Sequence, residues 1–103
     1  MNFTGNEDHS IVIEDAAAMT KSYRDANPGM VLGGYFGKAA VQAILAQEGC
    51  VGIRYYNALN DNGEHTVVLV GVKANKDDIE NGILAEFAKP IPPFAGVDNQ
   101  LNS

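Results

Sequence analysis

The chain has one cysteine, Cys50, so no disulfide can form within it. Basic residues are scarce as well. Seven Lys and Arg stand against 13 Asp and Glu, a formal charge of −6. No basic run exists to neutralise phosphates, which argues against nucleic acid and against an anionic membrane surface as partners. No apolar run approaches the ~20 residues that span a bilayer. The opening residues, MNFTGNEDHS, lack the basic start and the apolar stretch of a signal peptide. With a leading Met and a lone cysteine, the expectation is a cytoplasmic protein.

Several chemical signatures are missing too. There is no Gly-x-Ser-x-Gly elbow and no dinucleotide-binding fingerprint. Zinc needs three or four ligands, and His9, His65 and Cys50 are scattered without a usable spacing. No metal and no cofactor is expected.

What is present is enough to fold. The chain is 103 residues long, 46% apolar and 19% charged, which suits one domain over 1–103. Residues 1–9 have no periodicity and read as a loose end. The pattern predicts a helix over Ile13–Ala26, with Ser10 as N-cap and an inner stripe of Val12, Ala16, Met19 and Tyr23. Asn27-Pro28-Gly29 ends it, because proline cannot continue a helix. Residues 30–36 read as a linker or short extended piece. A second helix is predicted over Lys38–Glu48, with Gly37, Val41, Ile44 and Leu45 inward and Gly49 as a left-handed cap.

The strongest local signal is a hairpin over 51–74, with Asn62-Gly63 as a two-residue turn. That turn pairs Val51 with Ala74, Ile53 with Val72, Tyr55 with Val70 and Asn57 with Val68. This face is almost wholly apolar and belongs under the helices. The opposite face then carries Arg54, Tyr56 and Ala58 with Gly71, Leu69 and Val67. Ile83–Phe87 reads as a third strand, and the Pro-rich tail over 88–103 as an extended wrap. The predicted fold is α+β: two helices packed on one face of a small antiparallel sheet built around the hairpin.

Three motifs invite chemistry, and spacing counts against each. VLGGYFGKAAVQAIL has a Gly-Lys pair before a helix, as a phosphate-binding loop does. With Gly37-Lys38 fixing the register, Leu32 stands where the first glycine is needed and Ala39 where the hydroxyl is needed. A calcium loop with Gly63 at its sixth position puts Ala58 at the first ligand position, and one with Gly82 there puts Ile79 at the third. Cys50 would need a histidine to activate it. The expected pairing sets His65 opposite Asn60, over ~30 Å along the strand from Cys50 at ~3.4 Å per residue, which leaves His9, unplaced by the pattern, as the other candidate, beside the reading of Cys50 as a small buried hydrophobe.

The remaining oddity is Arg54, a guanidinium in an apolar strand with Tyr56 on the same face and room above Gly71. It could hold a small anion, with Tyr35 as a further contact. The competing reading pairs Arg54 with Glu86 on the third strand. Tyr56, Val67 and Leu69 form an apolar patch on that second face. If the chain does not cover it, a second copy should, giving a homodimer.

The segments MT…YRDANPG, FGK, ILAQEGCVGIR and VLVGVKAN resemble a group of small uncharacterised bacterial proteins, over residues 13 to about 103. The resemblance implies a compact α+β domain with no assigned activity. The resemblance also implies that several relatives end in a Cys-Pro-x-x-Cys-Gly-like segment where this chain has Ile91-Pro92-Pro93-Phe94-Ala95-Gly96, so that any thiol role there would be absent here. The reading that results is a non-catalytic interaction module that self-associates through a sheet face. Its alternative is a small-molecule or anion binder using Arg54, and a small enzyme ranks third.

Overall fold

The computed structural model describes residues 1–86, 89–91 and 96–102. Over the described residues it is a small α+β protein with two helices and two antiparallel sheets. The chain divides into two compact units: Met1–Glu7 with Phe36–Phe87, and Asp8–Tyr35 with Ala88–Ser103.

The first unit is built on a three-stranded sheet of β2 (Cys50–Leu59), β3 (His65–Lys73) and β4 (Leu84–Glu86), in the order β2-β3-β4. Helix α2 (Lys38–Leu45) packs against β2 and β3. Its buried residue is Ile44, and Leu69, Val70 and Val72 of β3 complete the apolar core. Each such side chain contributes about 1.5–3 kcal/mol on burial. The helix ends three residues before the predicted Glu48, because Gln47 N–H bonds back to Ile44 O, a tighter turn. Gly49 then takes the expected left-handed conformation, at φ 78°.

The hairpin forms where the sequence places it, but its register differs by one residue. The loop is not the two-residue turn at Asn62-Gly63. Gly63 N–H donates to Asn60 O and Asn60 N–H to Glu64 O, both at 2.9 Å, with Gly63 at φ 76°. This is a three-residue loop, a tight turn followed by one left-handed residue. The Asn60 side chain braces it by accepting from the N–H groups of Asn62 and Glu64. Arg54 therefore faces Val70, not Gly71, and Tyr56 faces Val68. Since side chains alternate along a strand, a one-residue slip moves each to the other face.

The same loop recurs at the other end of β3, in a stretch the sequence presents only as a polar connection. Lys76 N–H donates to Lys73 O and Lys73 N–H to Asp77 O, with Lys76 at φ 78°. Asp78 and Ile79 return beside Val72 and Gly71. Residues 80–83 then loop out before β4 rejoins β3, with Leu84 opposite Val70 and Glu86 opposite Val68. The Gln47 side chain fastens this excursion. Its Oε1 accepts from Ile83 N–H and its Nε2 donates to Ile44 O, both at 2.8 Å. Gly71 and Gly82 make room for the amide: a Cβ on Gly82 would stand 2.1 Å from Gln47 Oε1, and one on Gly71 2.9 Å from Nε2.

The N-terminal residues are exposed, with one backbone bond to the sheet unit. Phe3 N–H donates to Ala74 O at 2.8 Å, which ties the segment to the second loop.

The second unit holds α1 (Ile13–Ala26) and a two-stranded sheet of β1 (Gly33–Tyr35) and β5 (Lys89–Ile91). The expected extended tail thus supplies a strand to the segment read as a linker, while Phe87, Ala88, 92–95 and Ser103 lie outside the described residues. Helix α1 has the predicted limits. Its N-cap is Val12 without a side-chain bond, while Ser10 N–H bonds to Asp8. No residue of α1 is buried, and Val12, Met19 and Tyr23 of the predicted inner stripe are exposed. The half-buried residues are Ala16, Ala17, Thr20 and Arg24, and Arg24 donates to Leu101 O at 2.6 Å.

Gly82→Ala is expected to lower stability by about 1–3 kcal/mol, as overpacking does. The Gln47→Ala, Gly82→Ala double variant should recover part of that loss. Urea midpoints of the two single variants and the double variant check it, and strict additivity would refute the contact.

Candidate functional site

The side chains that converge most closely lie on one face of the first sheet, beside the loop after β3. Because Arg54 sits opposite Val70 in the observed register, it shares a face with Val72, which bridges to Asp78. Arg54 Nη1 donates to Asp78 Oδ1 at 2.5 Å and to Lys76 O at 3.1 Å. Tyr56, two residues along the same strand, donates its hydroxyl to Asp78 Oδ2 at 2.6 Å. One carboxylate therefore receives both side chains, one on each oxygen.

The electrostatics follow from this geometry. The Tyr56 hydroxyl does most to hold the Asp78 carboxyl below its ordinary value; desolvation opposes it, and the Arg54 guanidinium adds to the lowering through its hydrogen bond and its charge. Tyr56 and Asp78 in turn hold Arg54 above its ordinary value. The pair is half-buried, so water still screens it.

Lys76 links this cluster to the N-terminal segment. Its carbonyl takes the Arg54 bond, and its ammonium lies 5.9 Å from the centre of the Phe3 ring. A cation over an aromatic face is worth about 0.5–1 kcal/mol at an exposed site. Lys76 is also the one described non-glycine residue with positive φ. That conformation costs an L-residue roughly 1–2 kcal/mol. Three tethers thus meet at a strained position: the Arg54 bond, the Phe3 ring and the loop's own hydrogen bonds.

Of the residues singled out in the sequence, the structure brings Arg54 and Tyr56 together. Tyr35 stands on β1 of the second unit, opposite Lys89. The expected space above Gly71 is filled by Gln47, Cys50 and Ile79. Glu86 is not the Arg54 partner; it lies opposite Val68 and accepts from the buried Thr66 hydroxyl at 3.3 Å. The apolar patch of Tyr56, Val67 and Leu69 does not form, since the register sets Tyr56 on one face and Val67 and Leu69 on the other, with Leu69 buried. Asp78 and Lys76 were missed. The signal for Asp78 was an acidic residue just past a strand, legible once Lys73–Asp77 is read as a tight loop. Lysine carries no left-handed preference, so nothing in the sequence marked Lys76.

The arrangement gives Arg54 an internal counter-charge, which removes the main support for an anion anchor there. Cys50 is half-buried, with its Sγ 3.2 Å from Gly52 O. His65 contacts Asn57 Oδ1 at 3.0 Å, at the far end of the hairpin. Among the described residues no cluster of three or more His, Cys, Asp or Glu could hold a metal ion. No described helix is long and apolar enough to cross a membrane. Comparison with family models, curated proteins and solved structures finds no match.

Asp78 binds its proton more weakly in the folded chain than in the unfolded one. Its stabilising contribution is therefore complete above the ordinary carboxylate value of 3.8 and is lost as pH falls through that value towards the lower folded one. The urea midpoint should drop across this window. Asp78→Asn should flatten the drop and lower stability at neutral pH. An acid limb with the same slope in the variant would mean that other carboxylates carry it.

Proposed function

We propose that this protein is a non-catalytic interaction module that self-associates through the β2 side of its three-stranded sheet. The observation that carries the reading is the character of β2. It is a ten-residue strand at the edge of its sheet, and it contains no proline and no lysine. Proteins usually blunt long edge strands with such residues, because an open edge recruits other chains. Here the edge is apolar instead. Tyr55 is 64% exposed and Leu59 72%, with Ile53 beside them on the same face. The one charged side chain in the strand, Arg54, is already matched by Asp78.

This location differs from the sheet face that the sequence suggested. Leu69 is withdrawn into the core, so the exposed apolar surface moves outward from β3 to β2. A cytoplasmic setting is part of the same proposal and fits a chain whose one cysteine, Cys50, is unpaired.

The full chain at micromolar concentration should elute with twice the 11.0 kDa mass of one chain when its mass is read by light scattering. Tyr55→Lys should return it to the monomer mass without loss of secondary structure, because the side chain is exposed. A monomer at every accessible concentration would sink the proposal.

A further inference from the structure

We infer that β2 pairs antiparallel with β2 of a second copy, about a two-fold axis at Tyr56, to make one continuous six-stranded sheet. This rests on the self-association reading above and names its partner and register.

Asn60 N–H bonds to Glu64 O, so these two residues form a hydrogen-bonded pair. In an antiparallel ladder such pairs alternate with non-bonded ones. Ala58, Tyr56, Arg54 and Gly52 therefore direct their N–H and C=O groups towards β3. Ile53, Tyr55, Asn57 and Leu59 direct theirs to the open side. Among the described residues no other segment makes a backbone bond to these four.

The open stretch has two boundaries. At its start the ladder is irregular between Cys50 and Gly52, and Gly5 lies so close that a Cβ on it would stand 2.7 Å from Val51 O. At its end the chain turns at Asn60. The free edge thus runs from Ile53 to Leu59, and Tyr56 is its midpoint. An axis at Tyr56 sets Ile53 opposite the partner's Leu59 and Tyr55 opposite the partner's Asn57, so all four outward residues of each strand bond. Moving the axis to Tyr55 puts the partner's Leu59 against Val51, where the ladder is irregular. Moving it to Asn57 puts Ile53 against the partner's Asp61, inside a turn. Each shift forfeits the outer pairs.

Side chains and charges agree with this register. Ile53 meets a leucine, and Tyr56 meets its own copy as a non-bonded pair, where Cα atoms come within about 4.5 Å and aromatic rings interact well. Arg54 meets the partner's Ala58. The two guanidinium-bearing residues lie four positions apart along the strands, roughly 14 Å at ~3.4 Å per residue. That exceeds the screening length of about 8–10 Å in physiological salt. Like charges are kept apart, and the edge is complementary to itself, which is what a closed two-fold interface requires.

Disulfide trapping tests the axis. In a Cys50→Ser background, single cysteines replace Tyr55, Tyr56 or Asn57, and mild oxidation follows. Position 56 should cross-link to itself fastest, by about tenfold or more, because only there do the two Cβ atoms come within disulfide reach. Fastest trapping at 55 or 57 overturns the register. A dimer mass with no trapping at any of the three overturns edge pairing and leaves self-association standing, whereas a monomer mass overturns both. Hydrogen exchange on the unmodified chain gives a second readout, independent of how the Tyr56→Cys variant folds. The amides of Ile53, Tyr55, Asn57 and Leu59 should exchange at least about tenfold more slowly as protein concentration rises from well below to well above the dissociation constant. Exchange at those four amides that does not vary with concentration overturns the pairing.

Discussion

The three-residue loop at residues 61–63, braced by the Asn60 side chain and closed by left-handed Gly63, fixes which face every side chain of β2 occupies. With that glycine as the third residue of a three-residue loop, Arg54 comes to lie across from Val70 and beside Asp78. Had the loop been one residue shorter, Arg54 would stand opposite Gly71, on the side where Gln47 and Cys50 are packed. The carboxylate, guanidinium and hydroxyl of the site would then be distributed over two faces and could not meet. The site is a consequence of the loop, and the apolar edge with its regular alternation is a second consequence of it.

The two loops flanking β3 have the same hydrogen-bond pattern but reach it differently. At Gly63 the left-handed residue is glycine, which adopts that conformation without steric cost. At Lys76 the residue has a Cβ, and the conformation is held by what surrounds it. Arg54 binds its carbonyl, Phe3 lies under its ammonium, and Asp78 follows two residues on. The polar cluster therefore serves the local backbone first. Its charges are satisfied within the chain, which is why the exposed apolar edge, and not the cluster, carries the functional reading.

Much of this was legible in the sequence. The limits of α1, the start of α2, the hairpin strands and the existence of β4 follow from periodicity, glycine and proline. The register did not, because Asn-Gly suits two kinds of loop. Both place a left-handed glycine near the turn, and they differ by one residue in pairing. Local pattern cannot choose between them; the choice depends on Asn60, whose side chain reaches two backbone N–H groups and stabilises the longer loop. The stripe on α1 failed for a different reason. Val12, Met19 and Tyr23 repeat at helical spacing, yet the half-buried positions fall on Ala16, Ala17, Thr20 and Arg24, where a small residue permits close approach and Arg24 finds a carbonyl. The β1–β5 pairing lay beyond reach altogether, since it joins segments far apart in the chain and neither is long enough to declare itself.

That last pairing has a consequence for how the protein assembles. The hairpin of β2 and β3 closes a loop of a few residues and can form within microseconds. Gly33 and Ile91 are neighbours in β1–β5, with α2 and the whole three-stranded sheet between them in sequence. Closing so long a loop costs entropy that grows with the logarithm of its length. Few bonds repay it, because each strand has only three residues. Folding of the first unit shortens the gap before the second must close. The three-stranded sheet is therefore expected to form first, with the β1–β5 pairing the last to be secured and the first to come undone.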